Sequence, residues 1–238
     1  MTSSNAHTAR TITVAWIESW SDLAKLIDEC AGDAWIFRGE PTHDNKLRPK
    51  AGRAGAQKNA DRKTPYDQGD EIAALDLFKR QARPYLTHNP TTDVEWLAVA
   101  QHHGMSTRLL DWTESLLVAG YFACNRAGTL GDAVIYGLRD VPYSNETEQR
   151  SPFNVDRVSV YGPPHIAARI PAQRSVFTIH PDPTADFQND ATRWIVREGA
   201  CNRIKQILDA CAINEASLFP DIDGLSRHIG WRYKWGKL

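Results

Sequence analysis

Residues 93–124 read DVEWLAVAQHHGMSTRLLDWTESLLVAGYFAC. Two apolar segments, Val94–Ala100 and Leu116–Cys124, flank a dense polar knot of Gln101, His102, His103, Thr107, Arg108, Asp111 and Thr113. Polar groups this close to buried elements must find partners or be desolvated at a cost of ~1–3 kcal/mol each. The knot is therefore either an internal network that fixes a buried loop or a site that meets a ligand. The spacing predicts a helix capped by Asp93 and closed by Gly104, with Gln101, His102 and His103 in its final turn. Thr113 is predicted to cap a second helix, Glu114–Arg126, which is apolar nearly all round and so central and buried.

Upstream, Thr11–Trp16 has the alternation of a strand. Ser19 or Ser21 can cap a helix with Leu23, Leu26, Ile27 and Cys30 at helical spacing, ended by Gly32. Ala34–Arg38 is a short predicted strand that carries Arg38 to its carboxyl end, where Gly39 opens a turn. Residues 41–70 are rich in Gly, Pro, Lys, Arg and Asn, the composition of a long loop that is either functional or mobile. Helical periodicity returns over Glu71–Leu86 through Ile72, Leu75, Phe78 and Ala82, with Pro84 expected to distort the last turn. Downstream of the central helix, Asp132–Leu138, Arg157–Tyr161, Arg169–Ile170, Ser175–Ile179 and Thr192–Val196 are candidate strands. Cys201–Ile213 is an amphipathic helix, and a last helix or irregular segment leads into Trp231, Tyr233 and Trp235. Helices come mostly first and strands mostly later, with no repeated βαβ unit. The predicted class is α+β with a mostly antiparallel sheet.

A chain of 238 residues makes one large domain or two small ones. Its 42% hydrophobic and 24% charged residues are those of a soluble globular protein. A net charge of -1 gives no general attraction for nucleic acid or anionic membrane. Arg48, Lys50, Arg53, Lys58, Arg62 and Lys63 form the one basic cluster, in a stretch that reads as a solvated loop. Cys30, Cys124, Cys201 and Cys211 are widely spaced without a CxxC, the usage of free thiols in a reducing compartment. No apolar run approaches the ~18 residues of a membrane span. Residues 1–10 lack the apolar core of a secretory signal and read as a disordered tail, so a cytoplasmic location with no membrane partner is expected.

The stretch AQHHGMSTRLLDWTESLLVAGYFA, residues 100–123, resembles the signature of the FRG domain family, named for an aromatic-Arg-Gly motif. That motif stands here as Trp35-Ile36-Phe37-Arg38-Gly39-Glu40. Weaker likenesses lie in Arg169-Ile170-Pro171-Ala172-Gln173, in Val176-Phe177-Thr178-Ile179 and in Ala216–Leu225. The resemblance runs from about Trp16 to Leu225 and implies a single FRG-type domain over 11–238.

A second, fainter likeness overlaps the first. Leu109–Ser115, followed by Ala119 and Tyr121-Phe122-Ala123, is similar to the middle motif of ADP-ribosyltransferases of the Arg–Ser–Glu type, where a Ser-Thr-Ser strand precedes a helix. The likeness implies NAD as substrate, in an ADP-ribosyltransferase-like fold; from the residues themselves no metal is expected. Arg38 would hold phosphate or ribose oxygens, Asp111 and Thr113 would orient ribose and nicotinamide, and Gln173 would close the site. Read from the knot and the aromatic-Arg-Gly motif, Gly39, Gln101, His102, His103, Thr107, Arg108 and Trp112 are the further candidate ligand-binding residues. Asp-Trp-Thr stands where Ser-Thr-Ser would, and Gln173 is the nearest polar residue where the late strand should carry a Glu. A glutamine hydrogen-bonds a ribose hydroxyl but lacks the charge that steadies an oxocarbenium-like transition state. Asp111 is the carboxylate that could take that part. Bacterial members of such families often act as toxins or in defence against phage, which implies that a nucleotide is consumed or transferred to a macromolecular acceptor.

Each residue also has a plainer reading. Arg38 can pair with Asp111 or Glu40, Arg108 and Asp111 can pair with each other or with carbonyls, and Trp112 can be core as readily as a stacking platform. His102 and His103, adjacent on a helix, point about 100° apart, and no H-x-x-x-H or Cys cluster supports zinc. One of the two can instead serve as a general base or ligand donor. No G-x-S-x-G, Walker loop or G-x-G-x-x-G occurs. The alternative to an enzyme is a non-catalytic recognition module, in which the basic loop Arg48–Lys63 or the aromatic tail meets a protein or nucleic acid.

Overall fold

The computed structural model describes residues 13–43, 46–53, 66–86, 89–125, 131–164, 167–187 and 190–236. The tail expected over 1–10 and Lys58, Arg62 and Lys63 of the basic cluster lie outside these residues. In chain order the elements are β1 (Trp16–Ile17), α1 (Trp20–Cys30), β2 (Trp35–Glu40), α2 (Gln68–Ala82), α3 (Asp93–His102), β3 (Leu109–Thr113), α4 (Leu116–Cys124), β4 (Ala133–Arg139), α5 (Glu146–Arg150), β5 (Ser159–Tyr161), α6 (Arg169–Gln173), β6 (Ser175–Ile179), β7 (Thr192–Val196), α7 (Glu198–Ala210), α8 (Glu215–Leu218) and α9 (Ile222–Lys234). They belong to two units built from separate stretches of chain. Residues up to 43, 115–140 and 192–214 make the first, and 44–114, 141–191 and 215 onward make the second.

The first unit holds a ladder ordered β1-β7-β4-β2, in which β1 runs parallel to β7 and the other pairs are antiparallel. Side chains of a strand alternate between faces, so Trp35, Phe37 and Gly39 share one face of β2 while Arg38 and Glu40 share the other. Trp35 stacks on Phe37 at 6.0 Å between ring centres and meets Trp194 edge-on at 5.7 Å. On the same face α4 crosses Gly39: a Cβ built there would lie 1.9 Å from Ala119 O and 2.6 Å from Ala123 N. A residue without a side chain is what lets the helix settle so close. β2 continues through Gly39 to Glu40, so this glycine sits inside the strand and does not open the turn expected there. α4 is buried on nearly every side, as its all-round apolar sequence predicts, and packs against α7. Ser115, whose hydroxyl accepts from Val118 N, caps it in place of Thr113.

The second unit carries the antiparallel ladder β3-β6-β5. Leu75 of α2, Val94, Trp96 and Leu97 of α3, and Leu109, Tyr161, Phe177 and Ile179 of the strands form its core. α2 ends in a 3-10 turn at Arg83–Tyr85, where Pro84 removes a helical donor. Thr92, accepting from Glu95 N, caps α3 in place of Asp93. Three segments differ from expectation: of the strand expected over Thr11–Trp16, residues 13–15 are irregular and β1 is confined to Trp16–Ile17. The polar loop expected between α3 and α4 contains β3, because Leu109, Leu110 and Trp112 are buried and pair with β6. Arg169–Ile170, expected as a strand, starts α6. Pro171 explains it: its missing N–H falls in the first turn of a helix, where no intrahelical acceptor waits, whereas in a strand it would cost a ladder bond.

Of the predicted loop 41–70, residues 46–53 are pinned. Leu47 is buried, its carbonyl accepts from Phe187 N at 2.9 Å, and Ala51 N donates to Thr107 O at 3.1 Å. Cys30, Cys124 and Cys201 are buried thiols and Cys211 is an exposed one. Among the described residues no helix is long and apolar enough to cross a membrane.

Candidate functional site

In the first unit, Arg38 and Glu40 stand two apart on β2 and project from the face opposite α4. Arg38 Nε donates to Glu40 Oε1 at 2.9 Å, and Nη2 donates to the same oxygen. The two side chains are 15% and 12% exposed. Across the ladder from Arg38 lies Tyr136, which is fully buried. Glu40 is thus one of the two partners the sequence put forward for Arg38. Gly39 faces the other way, and the backbone it admits is that of α4.

In the second unit, α3 ends in a hydrogen-bonded C-cap. Gly104, at φ 99, donates its N–H to Gln101 O at 2.9 Å, and Met105 N donates to Ala100 O at 2.9 Å. This is the Schellman pattern, which needs a left-handed residue where Gly104 stands. The cap fixes the last turn of α3 against β3. Gln101 Nε2 donates to Asp111 Oδ1 at 2.9 Å, and Thr107 Oγ1 donates to Gln101 Oε1. Thr107 Oγ1 also accepts from Leu109 N at 3.2 Å. Thr107 is fully buried and Asp111 is exposed, so a short hydrogen-bond chain runs from the core to a carboxylate at the surface.

His102 lies within electrostatic reach of that carboxylate. Desolvation, then the neighbouring His103 and Arg169, hold its pKa below the usual imidazole value, while Asp111 pulls the other way. The ring is therefore uncharged at neutral pH. The His102 and His103 rings meet edge-on at 5.0 Å. Arg169, from the first turn of α6, donates to Asp221 Oδ2 and lies 5.0 Å over the Phe219 ring. Asp221 also caps α9 through Gly224 N at 2.7 Å. Thr113 Oγ1 donates to Gln173 O at 2.7 Å, and Gln173 Nε2 donates to Leu218 O at 2.9 Å, which ties the end of β3 to α6 and α8.

The rest of the knot is internal. Arg108 is fully buried. Its backbone N–H donates to Glu71 Oε1 at 2.7 Å, Nε and Nη2 donate to Glu71 Oε2, and Nη2 also reaches Tyr66 OH at 2.7 Å and Gln68 Oε1 at 3.1 Å. Nη1 donates to the carbonyls of Pro152, His180 and Pro181. The partner of Arg108 is Glu71, not the Asp111 weighed from sequence. Burial and the Glu71 carboxylate beside it push the Tyr66 hydroxyl well above the usual phenol range. Trp112 is buried on the face opposite Asp111, its Nε1 donating to Thr178 Oγ1 at 2.9 Å.

The structure thus gathers Gln101, His102, His103, Thr107 and Asp111, joins Thr113 to Gln173, seals Arg108 and Trp112 inside, and carries Arg38 and Gly39 in the first unit. Sequence reasoning missed Glu71, Arg169 and Asp221 as partners. Glu71 stands four before Leu75, on the stripe that proves buried, and reading Ile72 onto that stripe hid it. Asp221 could have been found as an N-cap three before Gly224. Among the described residues no group of three or more His, Cys, Asp or Glu side chains is placed to hold a metal ion. A family model described as FRG domain matches residues 33–130, which take in Arg38, Gly39 and the whole polar knot. Neither the curated proteins nor the solved structures yield a match.

Proposed function

Since the chain carries an FRG domain over residues 33–130, we propose that it binds a nucleotide of the NAD class through the surface around Asp111 and breaks its N-glycosidic bond, as an ADP-ribosyltransferase or a glycohydrolase. One observation carries this reading: Asp111 is an exposed carboxylate braced through Gln101 to the buried Thr107. A carboxylate held in place before substrate arrives accepts from ribose hydroxyls and opposes the positive charge that grows at C1′ as nicotinamide departs with the bonding electron pair. His102, uncharged at neutral pH, is suited to take the proton from the water or acceptor hydroxyl that then attacks C1′. In this reading Gln173 would offer an amide where ADP-ribosyltransferases of the Arg–Ser–Glu type carry a carboxylate, so the charge would fall to Asp111.

The second reading, a recognition module, is favoured by one specific feature: the Arg38 fork is engaged by Glu40 at an interior strand position. The test separates the two. Pure protein is titrated with NAD by calorimetry, and nicotinamide release is followed by chromatography. Asp111→Asn is expected to keep its melting temperature and lose about 100-fold or more in turnover. A folded protein that neither binds NAD at about 1 mM nor releases nicotinamide removes the nucleotide reading in favour of the module.

A further inference from the structure

α9 is apolar on two sides. Gly224 and His228 are buried toward its own unit, and Trp231 is half-buried beside them. At 100° per residue, Ile222, Leu225, Ile229 and Tyr233 form a second stripe on the far side, and these are 73%, 45%, 46% and 71% exposed. A continuous apolar stripe over about three turns left in water marks an association surface.

The sequence of the helix says what fits over it. Asp221-Ile222-Asp223 sets an apolar side chain between two carboxylates at the amino end. Arg232-Tyr233-Lys234 lies three turns on, on the same face, and sets an apolar side chain between two cations. Between them, Leu225-Ser226 and Ile229-Gly230 are large–small pairs, and Gly230 has open space where a Cβ would stand. Turned end for end, a second copy of this helix complements the first at every level. Ile222 meets Tyr233 of the other copy, Leu225 meets Gly230, Ile229 meets Ser226, and the acidic end meets the basic end. The helix dipoles also oppose favourably, and large residues opposite small ones let the ridges of one helix enter the grooves of the other. Because Asp221 is already engaged by Arg169, Asp223 against Lys234 is the main cross-pair.

We propose that α9 pairs two copies of this chain as an antiparallel, isologous helix pair about a two-fold axis near residues 227 and 228. One helix per copy is a small interface, so the association is a reversible one with a micromolar Kd. Sedimentation equilibrium on the full chain across a concentration series tests it. The expected result is a monomer–dimer equilibrium that Ile229→Asp weakens by about 30-fold or more, with circular dichroism unchanged because the side chain is already half in water. Asp223→Lys and Lys234→Asp should each weaken the dimer, and the double variant should restore it. A monomer at about 0.5 mM, or a dimer indifferent to Ile229→Asp, overturns the proposal. So does a chain that stays monomeric while the same stripe binds anionic vesicles.

Discussion

Arg108 and Asp111 stand three residues apart in the same polar stretch, and the fold treats them in opposite ways. Arg108 is sealed: its guanidinium and its backbone N–H find Glu71, Tyr66, Gln68 and three carbonyls, and none of it reaches water. Asp111 is open: one oxygen is held by Gln101 and the side chain meets solvent. Both are charged, both are hydrogen-bonded, and only one can meet a ligand. Density of polar residues in a sequence therefore does not mark a site by itself. What separates architecture from chemistry is whether the partners of a charge leave any of it facing water.

Breaking the sealed half should cost the most. Glu71→Ala strands a buried guanidinium, and removing one member of a buried, hydrogen-bonded pair typically destabilises by ~3–5 kcal/mol. Urea unfolding followed by fluorescence should show that loss, while Asp111→Asn in the same assay should stay within about 0.5 kcal/mol of the parent. Equal losses at the two positions would mean that Asp111 is as structural as Arg108, and the contrast between them would be lost.

A smaller effect is expected where the first unit repeats the contrast on one strand. Arg38 and Gly39 are neighbours in the motif, yet one faces away from α4 and the other lies beneath it. Gly39→Ala drives a methyl into the backbone of Ala119 and Ala123, neither of which can rotate away. Overpacking of this kind costs about 1–3 kcal/mol. Gly104→Ala meets no atom within 4 Å and strains only the φ of 99°, so its cost should be nearer ~1 kcal/mol. If unfolding midpoints rank the two in the reverse order, the glycine of the motif is not there to admit α4.

The comparison also explains what the sequence could and could not say. The helices α1, α4 and α7 and the strands β4, β6 and β7 were readable because each is long enough for its apolar period to dominate. Local spacing left β3 unread: the polar residues around Leu109, Leu110 and Trp112 suggested a loop, and only the ADP-ribosyltransferase likeness set a strand at Asp111–Thr113, because pairing with β6 is a long-range fact. The polar residues of the knot were all visible as types. Which of them close on one another depended on α2 arriving with Glu71, from 37 residues earlier in the chain, and on α6 arriving with Arg169. Neither distance is written in local spacing. Gly104 is the counter-example: its role as a helix stop follows from neighbours alone, and it was legible.

The smallest effect tests whether the open half is one site. Folding lowers the pKa of His102 from about 6.5, mainly through desolvation, and the Asp111 charge partly offsets that. The unfolded chain therefore holds this proton more tightly than the folded one. The contribution to stability is complete above the unfolded value and is lost as pH falls from there through the lower folded value. Replacing Asp111 by Asn removes the charge that raises the pKa, so the His102 ring resonances should titrate at a still lower midpoint in the variant. A bound anion would shift the same midpoint upward, since it would take over the role of the lost carboxylate. If Asp111→Asn leaves the His102 midpoint where it was, the carboxylate and the imidazole do not sense each other. The proton-accepting role given to His102 would then have to pass to another group.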